Sequence, residues 1–160
     1  MNQPPVANEA ISIAIEKHAD MVRRICFLYL KNKEDVEDVF QDVFLKLFLC
    51  MDSFANDEHQ KAWLCRVTFN KCKDLCKSSW HKRVVPLEEM EIPFASPEEG
   101  ELVQSILALP LKHRELIYLH YYEGKTIPEI AEITQQNINT VYSQLKRAKA
   151  RLKQKVEELS

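Results

Sequence analysis

The sequence predicts an all-α protein of two small helical domains joined by an acidic flexible linker, the second domain containing a helix-turn-helix. Three observations carry this. Glycine occurs only as Gly100 and Gly124 among 160 residues, against roughly 7% in average usage. Sheets joined by tight turns rely on glycine for positive φ, which argues against a barrel, a sandwich or a Gly-rich phosphate loop. Apolar residues recur at three- and four-residue spacing through most of the chain, the period of an amphipathic helix. Pro86, Pro93 and Pro97 break that period once, among glutamates, where a helix cannot persist.

The elements follow in order. Residues 1–8 contain Pro4 and Pro5 and read as a loose terminus. From Glu9 to Leu30, Ile11, Ile15, Val22, Ile25, Cys26 and Tyr29 keep helical spacing. Asn32 can cap a second helix, with Asp35 at its third position. That helix carries one apolar stripe, Val36, Val39, Phe40, Val43, Phe44, Leu47 and Met51, opposite Glu34, Glu37, Asp38, Gln41 and Asp42. A polar loop from Asp52 to Glu58 leads to a third helix over about His59 to Trp80, with a Leu64, Val67, Leu75 stripe toward the core. Domain boundaries are therefore expected at 9–82 and 97–158, with a linker at 83–96. Ser96-Pro97-Glu98-Glu99 restarts a helix with a Ser cap and Pro at the first position. A further helix over about Lys112 to Tyr122 ends at Gly124, suited to a left-handed C-terminal cap. Thr126-Ile127-Pro128-Glu129 is a capping box, and Asn137 can cap the last helix. There Ile138, Val141, Leu145, Ala148, Leu152 and Val156 are expected to point inward.

The net charge of −2 hides a sharp segregation. Residues 81–100 hold Lys82 and Arg83 against five glutamates, whereas residues 142–155 hold six cations (Lys146, Arg147, Lys149, Arg151, Lys153 and Lys155) and no acid. A basic stripe on one helix is the electrostatic footprint of a nucleic-acid binder. No run reaches the ~18 apolar residues of a membrane span, and the first twenty residues lack an apolar signal core. A cytoplasmic protein without stable membrane insertion is expected. The five cysteines (26, 50, 65, 72 and 76) form no CxxC pair, and an odd count does not describe a disulfide framework. Cys72 and Cys76, four apart near His81, could be imagined as metal ligands. Their continuation of the Ala62, Cys65, Phe69 spacing favours packing instead. No Ser/His/Asp arrangement, metal-spaced cluster or phosphate loop appears, so neither catalysis nor a metal or cofactor is expected.

Three faces remain to carry function. Residues 126–147 have helix-turn-helix proportions, with small Ala131 where two helices cross closely. The outward face of the last helix offers Asn139, Thr140, Tyr142, Ser143, Lys146 and Arg147. Amides and hydroxyls near its N-terminus suit base edges, and cations further along suit phosphates. On the third helix His59, Trp63, Arg66, Asn70, Lys73 and Lys77 share one face at 4,3,4,3,4 spacing. An aromatic among cations suits unstacked bases and their backbone, although a solvated face with Trp63 tucked inward has the same spacing. The acidic face of the second helix is either plain solvated surface or a dock for a basic protein. It cannot suit DNA.

Together these segments resemble the bacterial sigma factors of the extracytoplasmic-function group. The resemblance runs through Asn32-Lys33-Glu34-Asp35-Val36-Glu37-Asp38-Val39-Phe40-Gln41-Asp42-Val43-Phe44-Leu45-Lys46-Leu47-Phe48, similar to that family's polymerase-binding helix. Trp63-Leu64 with Asn70 and Asp74 is similar to its minus-10 helix. Leu109-Pro110, Arg114-Glu115, Tyr122-Glu123-Gly124, Glu129-Ile130-Ala131-Glu132 and Thr140-Val141 are similar to its promoter-reading domain. Four positions depart from it: Gln135 stands where the family usually has glycine, Gln136 where an apolar residue is usual, and Lys71 and Cys72 where small or apolar residues are more common. The resemblance implies a dissociable specificity subunit that directs core RNA polymerase to promoters and lacks catalytic residues. Asp38, Gln41 and Asp42 would contact polymerase core. The His59–Lys77 stripe, with loop residues Phe54 and Asn56, would hold the melted minus-10 strand, and the terminal helix would read the minus-35 duplex. The acidic linker would lie in a basic polymerase channel. An anti-sigma factor is a further implied partner. Two other readings stand beside it: a self-sufficient helix-turn-helix regulator of transcription, and a thiol or metal enzyme.

Overall fold

The computed structural model describes residues 4–77 and 97–159. The chain divides into two compact units, Met1–Pro93 and Phe94–Ser160, and among the described residues every regular element is helical. The expected linker 83–96, the Ser96 cap and the third helix beyond Lys77 lie outside the described residues.

In the first unit α1 spans Pro4–Tyr29, so the terminus expected to be loose is already helical from Pro4. The reason is local: proline is tolerated in a first turn, where its missing N–H would have had no acceptor and its φ is preset. Asn32 caps α2, Lys33–Leu49, as its Oδ1 accepts from the Asp35 N–H at 2.8 Å while its Nδ2 donates to the Asp35 carboxylate at 2.9 Å. A single 3-10 turn, Met51–Ser53, precedes α3, Asp57–Lys77. The helix α1 packs against both α2 and α3, which also pack on each other. Residues 25–29 of α1, and Leu30 after it, are accordingly buried without interruption, the mark of a segment enclosed on all sides. Val39, Val43, Phe44 and Leu47 of α2 join Leu64, Cys65, Phe69 and Cys72 of α3 in this core. Tyr29 and Phe69 meet edge to face at 5.8 Å, and the Arg23 guanidinium lies 4.2 Å over Phe40. Val67 and Leu75, expected in the inner stripe of α3, sit at its margins instead. Thr68 takes the central place, its hydroxyl satisfied by the Leu64 carbonyl at 2.6 Å.

The second unit comprises α4 (Pro97–Leu107), α5 (Leu111–Ile117) with a π-helical turn at Tyr118–Tyr122, α6 (Ile127–Thr134) and α7 (Ile138–Leu159). Arg114 of α5 donates from Nε to the Leu109 carbonyl at 2.9 Å and from Nη2 to the Leu107 carbonyl at 2.7 Å, so one guanidinium closes the end of α4. Gly124 follows the π turn at φ +67, the left-handed conformation expected of it. The core draws Val103 and Ile106 from α4, Leu116 and Ile117 from α5, Ile130 and Ile133 from α6, and Val141, Leu145 and Ala148 from α7. Ile138 and Val156, expected to point inward, are 51% and 45% exposed. The buried stripe of α7 begins only at Val141 because its first turn overhangs the elements it packs on.

Candidate nucleic-acid and docking interfaces

The helix-turn-helix is built by three local devices. Thr126 and Glu129 close a reciprocal capping box, the Thr126 N–H donating to Glu129 Oε1 at 2.9 Å and the Glu129 N–H to Thr126 Oγ1 at 3.3 Å. The Thr126 N–H holds the Glu129 carboxyl below its usual range. Gln135 then turns the chain at φ 55, ψ 44, with the Gln136 N–H on the Ala131 carbonyl and the Gln135 N–H on that of Glu132, a Schellman closure. Asn137 caps α7 through its Oδ1, which accepts from the Asn139 N–H at 2.8 Å. Val141, Leu145 and Ala148 hold α7 to the unit, and Asn139, Thr140, Tyr142, Ser143, Lys146 and Arg147 are all exposed. Lys149, Arg151 and Lys153 extend the exposed basic stripe. Beneath it His113 is buried with neither ring nitrogen hydrogen-bonded. Burial, then the charges of Arg151, Lys112 and Arg147, push its pKa down.

On α3, His59, Asn70 and Lys77 are exposed, and Trp63, Arg66 and Lys73 half-buried, so the six-residue stripe faces away from the core as expected. Phe54 packs edge to face on His59 at 5.3 Å and on Trp63 at 5.4 Å, which brings the loop and the helix into one aromatic cluster. Asn56 has a duty the sequence reading did not give it. Its Oδ1 accepts the His59 N–H at 2.9 Å, and His59 Nδ1 in turn accepts the Ala55 N–H at 3.1 Å. This reciprocal cap starts α3 at Asp57 rather than His59 and fixes the loop that presents Phe54.

On α2, Asp38 and Gln41 are exposed, whereas Asp42 is half-buried. Its carboxylate is drawn to Lys71 of α3 at 2.8 Å, with Lys46 at 3.6 Å, and the hydrogen bond from Lys71 holds its pKa down. Glu37 likewise turns to Arg23 at 3.6 Å. The acidic face therefore doubles as a tie between helices. The sequence did not single out as exposed Leu45 and Phe48, which lie within the segment of family resemblance, or Leu49 beyond it; they are exposed by 59%, 41% and 76%. They continue the Asp38, Gln41 side of α2 at helical spacing. A signal existed: five of residues 44–49 are apolar, more than one buried stripe can use.

Three of the five thiols are packing groups, while Cys50 and Cys76 are half-buried. Cys26, Cys65 and Cys72 are buried, and contact with the Cys26 thiol, then burial, pushes Cys72 well above the usual thiol range, which favours its protonated form.

Residues 14–82 match the family description Sigma-70 region 2, and residues 99–152 match Sigma-70, region 4. RNA polymerase sigma factor SigV of Bacillus subtilis is 27% identical over 152 residues, covering 92% of each chain. The ECF RNA polymerase sigma-E factor of Escherichia coli K12 is 26% identical over 170 residues, covering 94% of this chain and 88% of the relative. Among solved structures, the sigma factor RpoE bound to the anti-sigma factor NepR from Bartonella quintana superposes with a TM-score of 0.69 at 20% identity, covering 91% and 96%. CnrH in complex with the cytosolic domain of CnrY gives 0.66 at 24%, covering 96% of each. Two helical units bearing two cationic faces and one acidic-apolar face define, with these matches, a class of transcription initiation factors. The chain belongs to the sigma-70 family, within its extracytoplasmic-function group of RNA polymerase sigma factors.

Proposed function

We propose that this chain binds core RNA polymerase through the Asp38, Gln41, Asp42 face of α2, extended by Leu45, Phe48 and Leu49, and directs it to promoters in the cytoplasm. It acts by binding alone and supplies no catalytic group. The observation that carries this reading is the division of labour among faces. DNA-compatible cations lie on α3 and α7, while the outward face of α2 offers carboxylates and apolar side chains, fit for a basic, partly apolar protein surface.

Residues 9–82 would serve core and minus-10 binding, and 97–158 minus-35 binding. The segment 83–96, acidic and proline-bearing, would connect them through a basic channel. In the first unit, Phe54 with His59 and Trp63 offers a stacking platform for a base extruded during melting, while Arg66, Asn70, Lys73 and Lys77 track the strand. In the second, Asn139, Thr140 and Ser143 reach base edges, and Lys146 and Arg147 the phosphates. An anti-sigma factor is proposed as the regulating partner, since CnrH and RpoE were solved with proteins of that kind or with a cytosolic domain. The stand-alone regulator is the weaker reading, because it leaves the first unit without a purpose.

Competition for core polymerase tests the dock. Asp38→Ala combined with Leu45→Ala should compete at least tenfold less well than the parent with an unchanged melting temperature, as both side chains are exposed. Equal competition would show the face to be solvated surface only.

A further inference from the structure

We propose that Ile138 is a sequence-reading residue that contacts the 5-methyl group of a thymine in the upstream promoter element. This rests on the reading of α7 as the helix that faces duplex DNA. Ile138 occupies the first position of α7, directly after the Asn137 cap, and is 51% exposed. Tyr142, one turn further and 58% exposed, stands above it, since residues four apart share a helix face. The two form an apolar strip on the flank between the buried Val141, Leu145 stripe and the polar Asn139, Ser143 face. The capped first turn fixes the backbone, and a β-branched side chain holds essentially one rotamer, so Ile138 is a rigid projection.

Its chemistry then narrows the contact. Isoleucine can neither donate nor accept a hydrogen bond. In the major groove the edges of guanine, cytosine and adenine present donors and acceptors, and only thymine presents a methyl group. The occupant of this face is a polyanion by charge complementarity: Lys146, Arg147, Lys149, Arg151 and Lys153 are exposed along α7, and residues 142–155 contain no acid. A helix entering the major groove leads with its N-terminal residues, which places Ile138 at base edges rather than at the backbone.

The test uses holoenzyme reconstituted from core polymerase and the full chain. Promoter duplexes enriched by that holoenzyme from a random library are resynthesised with each upstream thymine replaced singly by deoxyuridine, which removes only the methyl group. At one position the replacement should weaken binding about fourfold, the worth of one buried methyl. Ile138→Ala, which should melt like the parent, should bind the thymine duplex about fourfold more weakly and bind both duplexes equally at that position. Equal binding of thymine and deoxyuridine duplexes by the parent at every position would overturn the proposal, as would a thymine preference unchanged in Ile138→Ala. Scrambling the whole upstream element separates the two claims: binding that survives it would refute the reading of α7, and this inference with it.

Discussion

Two single residues hold conformations or protonation states that cost stability. Gln135 adopts the left-handed region at φ 55, where a side chain costs roughly 1–2 kcal/mol and glycine costs little. Gln136 fills the next position, where an apolar contact usually supports such a turn, and it is exposed. Gln135→Gly should therefore stabilise the second unit by about 0.5–1 kcal/mol after the extra freedom of glycine in the unfolded chain is counted. Slower hydrogen exchange at the Val141 and Leu145 amides would register it, and faster exchange would refute it. His113 is the second case. Unfolded, it takes up a proton near its ordinary value of about 6.5; folded, burial and the Arg151, Lys112 and Arg147 charges lower that value. The unfolded state binds more protons in between, so the stability present above about pH 6.5 is lost as pH falls through the folded value. His18 in the first unit, buried and shifted the same way, adds to this. Protection factors in the second unit, corrected for the slower intrinsic exchange at lower pH, should fall on acidification from pH 7 to 5.5, and His113→Leu should flatten that response. An unchanged acid response in the variant would place the sensitivity elsewhere.

At the scale of elements, the sequence was most readable where a local rule had no competitor. Asn32, Thr126 and Asn137 cap the helices assigned to them, and Gly124 takes the positive φ required of it. It was least readable where tertiary surroundings decide. Nothing in the spacing of Ile138 distinguishes an overhanging first turn from a packed one, and Asn56 could equally have met a base or capped α3. Asp42 shows the same limit: its position on the outward face was foreseen, its pairing with Lys71 was not. Arg114, first singled out by resemblance alone, closes α4 by donating to two carbonyls. Hydrogen bonds from a charged group are worth roughly 1.5–3 kcal/mol, so Arg114→Met should destabilise the second unit by about 2 kcal/mol in urea unfolding of the full chain. Arg114→Lys should recover little, since a single ammonium lacks the fork that reaches both oxygens. Retention of full stability in Arg114→Met would mean that water replaces the guanidinium at no cost.

At the scale of the whole molecule, the proposed reading has two cationic faces on separate units addressing two promoter elements, with core polymerase as the scaffold that would set their spacing. Once one reader is bound on that scaffold, engagement of the other becomes effectively intramolecular. The free chain should accordingly bind promoter DNA weakly and lose that binding steeply with salt, whereas the holoenzyme should bind specifically. The exposed carboxylates and apolar residues of α2 fit this arrangement, because such a face suits a protein surface and repels a phosphate backbone. Run-off transcription on a genomic fragment library, with core polymerase in the presence and absence of the chain, tests the account most directly. The account predicts discrete transcripts that appear only when the chain is added, from fragments sharing an upstream and a downstream element. No transcript above that of core polymerase alone, together with specific DNA binding by the chain in the absence of core, would contradict it.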